Sequence, residues 1–501
     1  MYLLGLDVGT TGCKAVIFDK EGNVAGYGFR EYDIICERPG YAEQDALKVW
    51  ELTKQVIKEA VDKSGVSSIK ALSLSVQGDA IIPVDEDIHP LHHTLLGMDY
   101  RSTAEVEYCK EIMGDKALFE VTGMRPHPMN SATKILWIKN NLPDVYEKTY
   151  KFMTYADFIL SKLGARPVID LTMASRTMLF DIHNMKWSSS ILSCLEMDEQ
   201  KLSEPVKSGE IVGELSKQLS EELGIEIGTV LVAGGHDQAC AALGAGIISE
   251  NIAMDSHGTA EVLATAFKLP KLGDTMYEGY YPCYCHAKEG MYLTFALNHI
   301  GGLLLKWYRD NLGYAEVEEA RIRGEETYDV MLEKISNEPS SVLVLPHFNG
   351  SGTPWCDLDS KGAMVGLTMA TTRHDIVKGI MESLTYELRI NIEHMQKSDI
   401  YIERLRAVGG AAKSPIWLQI KADITGCVVE TLKIREGACL GAALLAGVAT
   451  KVYKDLDEAV EITVKVMHAY NPRKQMKELY EEKYMTYTKL YNALKPISKA
   501  L

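Results

Sequence analysis

The chain has 501 residues, 46% of them apolar and 24% charged, with a formal net charge of −16. That length exceeds one ordinary core, and at roughly 150 residues per domain it implies two to four domains of a globular protein. The acidic balance disfavours nucleic acid and anionic membrane surfaces as partners, because nothing in bulk offsets phosphate repulsion, yet local lysines and backbone dipoles can still hold a small anion.

Met1 leads straight into a short strand, and no apolar run approaches the roughly 20 residues of a membrane span, so a cytoplasmic protein without membrane contact is expected. Ten cysteines are scattered along the chain. Cys283 and Cys285 lack a second ligand pair at zinc spacing, so reduced thiols with no metal role are expected.

The first element is MYLLGLDVGTTGCKAVIFDKEGN at residues 1–23. Two short apolar runs bounded by Gly and polar residues predict a β-hairpin. Its bend, Gly9-Thr10-Thr11-Gly12 with Lys14 beyond, offers backbone N–H groups, hydroxyls and an ammonium suited to phosphate oxygens. Asp7, closing the first strand, suits a hydrated Mg2+, a hard ion that favours carboxylate and water oxygen. Hairpins that bind nothing fit the same description, so the rest of the chain decides. Asp45–Ser64 reads as an amphipathic helix capped by Asp45, with Leu47, Trp50, Ile57 and Val61 packed.

TVLVAGGHDQACAALGAG (229–246) runs from an apolar strand through Gly-Gly into an apolar-periodic helix. IAMDSHGTAEVLATAF (252–267) echoes the opening hairpin with Asp255 and Gly258-Thr259, and LRAVGGAAKSPIWLQIKADITG (405–426) echoes the Gly-Gly turn. Hairpin, turn, hairpin, turn is the order that two related halves would leave. A boundary near 246–251 gives domains 1–247 and 248–501. Each would be an α/β layer with its glycine turns at strand ends, facing across a cleft. Asp237 is the one acid in either Gly-Gly echo, since the corresponding place in the second holds Ala411 and Ala412. That asymmetry makes Asp237 the candidate for chemistry; capping the helix is the bland alternative. Tyr480, Tyr484, Tyr487 and Tyr491 are expected on an outer helix docked on the second domain.

Taken together, LGLDVGTTGCKAVIFD, PGYAEQDALKVW, NSATKILWIKNN, GGHDQACAALGAG, GSGTPWCDLDSKGAMVGLT, GGAAKSPIWLQIKADITG and REGACLGAALLAG resemble, from end to end, the FGGY carbohydrate kinases. The resemblance implies an α/β protein of two actin-like, ribonuclease-H-like domains facing across a nucleotide-binding cleft. The amino-terminal domain would hold a sugar and the carboxyl-terminal one ATP. It implies transfer of the γ-phosphate of ATP to a hydroxyl of a small sugar or polyol, with Mg2+.

By that resemblance Asp237 is the base that accepts the attacking hydroxyl's proton, and Asp7 and Asp237 organise the metal. Gly9, Thr10, Thr11 and Lys14 hold phosphate oxygens opposite Gly258 and Thr259. Gly301 and Gly302 start a helix near those phosphates, and Gly409, Gly410 and Ala411 lie beside ribose and adenine. Gln77, Gly78 and Asp79 fall where xylulose kinases have Gln-Met-His and glycerol kinases Gln-Arg-Glu. Asp99 is a substrate-binding candidate near the pocket, with a structural ion pair to Arg101 as the alternative. Gln238 follows the acid as in glycerol kinases, and Met129 falls where those carry a substrate-contacting Tyr. These departures speak against glycerol and favour a ketopentose such as xylulose, with erythritol, gluconate or another polyol or sugar acid as alternatives. Related kinases often form homodimers. An actin-like ATPase switch and a sugar-binding regulator without turnover are the competing classes; Asp7 and Asp237 together argue for turnover.

Overall fold

The protein is described by a computed structural model covering residues 1–433 and 436–501. Ile434 and Arg435, the latter opening the REGACLGAALLAG motif, lie outside the described residues. In the first half the sheet-forming strands are β1 (Tyr2–Val8), β2 (Gly12–Asp19), β3 (Val24–Glu31), β4 (Ile69–Val76), β5 (Ile211–Glu214) and β6 (Val230–Val232). With them we follow helices α1 (Ala46–Ser64), α2 (Leu171–Arg176) and α3 (Asp237–Gly244). The second half builds β7 (Asn251–His257), β8 (Glu261–Phe267), β9 (Tyr292–Asn298), β10 (Ile402–Gly409), β11 (Val428–Leu432) and β12 (Val466–Tyr470). Its helices include α4 (Gly302–Asn311), α5 (Arg373–Gln396), α6 (Pro415–Thr425), α7 (Gly437–Ala449) and α8 (Lys474–Tyr487).

Strand order exposes the duplication. The first sheet runs β3-β2-β1-β4-β6-β5, with the short strand Gly235–His236 also on β4, and the second β9-β8-β7-β10-β11-β12, with the short strand Tyr284–Cys285 outside β9. In both, the first three strands pair antiparallel, the fourth and fifth join parallel, and the sixth closes antiparallel. The halves are therefore related, as the motif order suggests, but the Gly-Gly echo is misaligned. Gly234-Gly235 follows the fifth strand of its sheet, whereas Gly409-Gly410 follows the fourth. The topological counterpart of Asp237, first residue of α3, is thus Gly437 at the start of α7 rather than Ala411 or Ala412.

β1 lies inside its sheet, and its alternating side chains reach two cores. Leu4, Leu6 and Val8 join the cluster that includes Val56, Ile57 and Ala60 of α1. Leu3 joins Val16, Ala71 and Val232 beneath α3 and α7, against Cys240, Leu243, Leu440 and Leu444. A helix of the second half thus covers the first sheet. The approach is backbone to backbone: a Cβ at Gly5 would stand 1.9 Å from the Cys439 carbonyl oxygen. One at Gly441 would stand 1.9 Å from the Cys240 oxygen, and one at Gly244 1.9 Å from the Gly437 oxygen. The counterpart helices α3 and α7 cross each other at these glycines.

Asp45 caps α1, accepting from Leu47 and Lys48 N–H. Trp50, Ile57 and Val61 are packed as expected, but Leu47 is 41% exposed. The buried stripe runs through Ala46, Val49, Trp50, Thr53, Val56 and Ile57, which leaves position 47 about 100° off that face. Tyr480, Tyr484 and Tyr487 of α8 dock on α5, their hydroxyls donating to Glu382, Glu393 and Glu387 at 2.9, 2.6 and 2.6 Å. Among the described residues no helix is long and apolar enough to cross a membrane.

Candidate active site

The ends of neighbouring parallel strands bring the first half's polar residues together. Asp7 on β1 pairs in register with Ser75 on β4, and Ser75 with Gly235. The hairpin bend, Gln77–Asp79 and the Gly234–Asp237 turn therefore share one sheet edge, the edge where open α/β sheets bind ligands.

The bend is braced from inside. Tyr32 Oη donates to the carbonyl oxygens of Gly9 (2.6 Å) and Gly12 (3.1 Å), and Tyr32 N–H to that of Thr11 (3.1 Å). Gln44 Nε2 donates to Thr10 O at 2.5 Å, and Gln77 Nε2 to Gly9 O at 3.2 Å. With those carbonyls held inward, trans-peptide geometry turns the N–H groups of Thr10 and Thr11 the other way, as an anion cradle requires. Gln77, expected at the substrate, is instead 4% exposed and committed to Gly9 and Gln44. Lys14 is paired with Glu436 of the second half at 3.1 Å.

Asp237 opens α3, its Oδ1 accepting from Gln238 N–H at 2.5 Å and lying 3.1 Å from His236 Nε2. Its side chain is 36% exposed. Burial of the carboxylate first, and the Asp7 charge second, push Asp237 up to about 7. The accessible area lets solvent screen part of this push. Burial raises Asp7 as well, against the hydrogen bond from Ser75 Oγ (2.9 Å). His236 is held well below its ordinary value by burial and by Arg176, so it stands neutral beside the acid. Two buried, raised carboxyls, with the Asp7 charge felt at Asp237, form a donor set suited to a hard divalent cation.

Beside them Asp79 sits at φ +66°, a left-handed conformation unusual for a residue with a Cβ. Ser131 Oγ (3.3 Å) and Lys134 Nζ (3.0 Å) donate to its carbonyl, and Arg176 Nη2 donates to its Oδ2 at 2.6 Å. Several buried polar atoms in this place have no protein partner: Asp79 Oδ1, Arg176 Nε and Nη1, His236 Nδ1, Gln238 Oε1 and the Tyr284 hydroxyl. Buried polar groups at this density need partners, from a bound ligand or ordered water, to offset their desolvation. Gly78 makes room: a Cβ there would lie 2.7 Å from His236 Nε2 and 3.4 Å from Arg176 Nε. Sequence reasoning missed Arg176, His236 and Tyr284. The one available signal was a lone arginine in the apolar run MASRTMLF.

Asp99 is the ion-pair partner of Arg101, as one expectation had it, and not the substrate contact of the other. It is fully buried, and its oxygens are taken by Ala42 N–H (2.6 Å) and by Arg101 at 2.8–3.0 Å. With Glu43 also on Arg101 at 2.5 Å, Asp99 is a buried anchor with no free valence for a substrate.

The second half contributes a cavity of about 1000 Å3 lined by His257, Gly258, Gly302, Gly410, Ala411 and Trp417, among others. Gly409, at φ +89°, brings its Cα close to the backbone of His257, where a Cβ would lie 2.7 Å from the carbonyl oxygen. The N–H groups of Gly301 and Gly302 are already spent on the carbonyls of Thr259 and Gly258, both at 2.8 Å. They tie the start of α4 to the second hairpin instead of facing a ligand.

Sequence models of the FGGY family of carbohydrate kinases match along most of the chain, the N-terminal domain at residues 2–244 and the C-terminal domain at 253–450. A glycerol kinase of Lactobacillus acidophilus is 31% identical over 499 residues, covering 96% of each chain. A xylulose kinase of Staphylococcus epidermidis is 27% identical over 504 residues, covering 100% of this chain and 98% of the other. The fold is that of the ligand-bound xylulose kinase from Lactobacillus acidophilus, with a TM-score of 0.89 at 24% identity over 99% of this chain and 98% of that one.

Proposed function

This chain belongs to the FGGY family of carbohydrate kinases, and from that premise we propose that it moves the γ-phosphate of ATP to a hydroxyl of a small neutral sugar or polyol, a ketopentose of the xylulose type first. Residues 1–247 form the sugar domain and 248–501 the ATP domain. The observation that carries the reading is Asp237, raised and half-open at the sheet edge, beside the orphaned atoms around Asp79 and Arg176.

Asp237 accepts the proton of the attacking hydroxyl as that oxygen closes on phosphorus, and the rest is positioning and charge neutralisation. Thr10, Thr11 and Lys14 hold phosphate oxygens from one side, Gly258 and Thr259 from the other. Asp7 and Asp237 would hold a hydrated Mg2+, which when bound neutralises charge on the transferring phosphoryl group. Asp79 Oδ1 offers an acceptor and Arg176 Nε and Nη1 offer donors, the complement of neighbouring hydroxyls. A sugar acid fits worse: Asp79 and Asp237 both act on the Arg176 guanidinium, which Asp79 already pairs, and Asp7 adds a further negative charge beside Asp237.

A panel of ketoses, polyols and aldonates, followed by ADP release, tests the reading. Turnover on a neutral ketose or polyol and none on aldonates is expected. Sugar-independent ATP hydrolysis, or preference for an aldonate, would overturn it. With the preferred substrate, Arg176→Lys keeps the charge but loses the planar fork, and we expect its sugar KM to rise about tenfold while the ATP KM holds.

A further inference from the structure

The second hairpin carries a buried ionic cluster that phosphoryl transfer at Asp237 does not use. Asp255, His257 and Glu261 lie with their ligand atoms within 4.8 Å of one another. The spacing would suit a cation, but the ammonium of Lys421, reaching in from α6, already fills that place. Lys421 Nζ bonds Asp255, Glu261 Oε1 at 2.7 Å and the edge of His257 at Nδ1 (3.0 Å). Asn298 Nδ2 donates to the other Glu261 oxygen at 3.0 Å. Burial alone would raise Glu261, but Lys421 and His257 outweigh it and hold its carboxyl well below the ordinary range. Asp255 is not the counterpart of Asp7: it stands three residues before Gly258, whereas Asp7 stands two before Gly9. With a period of two along a strand, that offset turns its side chain to the opposite face, towards Lys421.

The cluster fixes His257. Its Nδ1 is 2.7 Å from Glu261 Oε1, and its ring packs on Trp417 with centroids 4.4 Å apart. The other ring nitrogen, Nε2, is buried without a partner. It lies on the edge that faces the start of α4, where a Cβ at Gly302 would stand 4.0 Å from His257 Cδ2. His257, Gly258 and Gly302 all line the large cavity. Lys421 and Glu261 hold the Nδ1 edge of the ring; with Nδ1 accepting from Lys421, the ring proton sits on Nε2, whose N–H is left for an anion on the cavity side.

We propose that His257 is a nucleotide-binding residue whose Nε2–H donates to a phosphate oxygen of the bound nucleotide, and that Lys421 and Glu261 are positioning residues for its ring. This rests on the kinase reading above. Binding of ADP and of adenosine, measured by calorimetry on the wild type and on His257→Phe, tests it. The Phe ring keeps the Trp417 contact and removes the N–H. The variant should weaken ADP about tenfold, the size of a lost charge-assisted bond, and leave adenosine unchanged. A wild type that binds no ADP sinks the kinase reading; unchanged ADP affinity in the variant, or equal loss for adenosine, sinks this inference alone. Should His257→Phe fail to melt cooperatively, 15N NMR of histidine-labelled wild type, assigned with His257→Gln, gives the answer. ADP is expected to shift a protonated Nε2 of His257; an unprotonated or unmoved Nε2 would overturn the proposal.

Discussion

Asp237→Asn is expected to lower sugar-dependent turnover about a thousandfold, the middle of what a positioned base contributes, while ATP binding holds or tightens slightly. The amide keeps the shape at the head of α3 and its contact with Gln238 N–H, but it cannot take a proton, and it removes one negative charge from beside the phosphates. The wild type should also show this group in its pH profile. Only the deprotonated acid serves as base, and its folded value is raised. Activity is therefore full above that value and is lost, with unit slope in log kcat/KM, as pH falls through it. The limb should lie above the ordinary carboxylate range, towards 7, and should be absent from the residual activity of the Asn variant. Steady-state rates from pH 5 to 9 decide the matter: near-normal turnover in the variant would end Asp237's role.

The second large effect is structural. Gly441→Val should cost about 3 kcal/mol of stability, at the severe end of overpacking. Its Cβ would meet the Cys240 carbonyl at 1.9 Å, and neither backbone can yield, because both belong to helices wedged under buried side chains. Urea unfolding would show the midpoint drop. A loss under about 1 kcal/mol, within what well-tolerated core swaps cost, would mean that α3 and α7 do not meet at their glycines.

Much of the hairpin chemistry was legible in the chain itself. Alternating apolar residues, a Gly-Thr bend and a terminal acid describe β1 and β2 as they stand, and Asp45 caps α1 as read. The parts that failed share one cause: they depend on pairings between distant segments. Gly-Gly turns look alike locally, yet only the sheet order shows that one follows the fourth strand and the other the fifth. Gln77 and Asp99 have polar side chains at the right place for a ligand, but Gly9, Gln44, Ala42 and Arg101 claim them first. Arg176 is 97 positions from its partner Asp79, a separation across which no local pattern carries information. The Asp255 offset, by contrast, was present as a simple count of residues to the next glycine.

The helix that covers the first sheet has a consequence for biogenesis. β1 is translated well before α7, yet the surface around Leu3, Ala71 and Val232 is sealed partly by Leu440 and Leu444 of that helix. Until that helix has been made, the apolar face of the first sheet lacks part of its cover, so the first half cannot finish burying its core on its own.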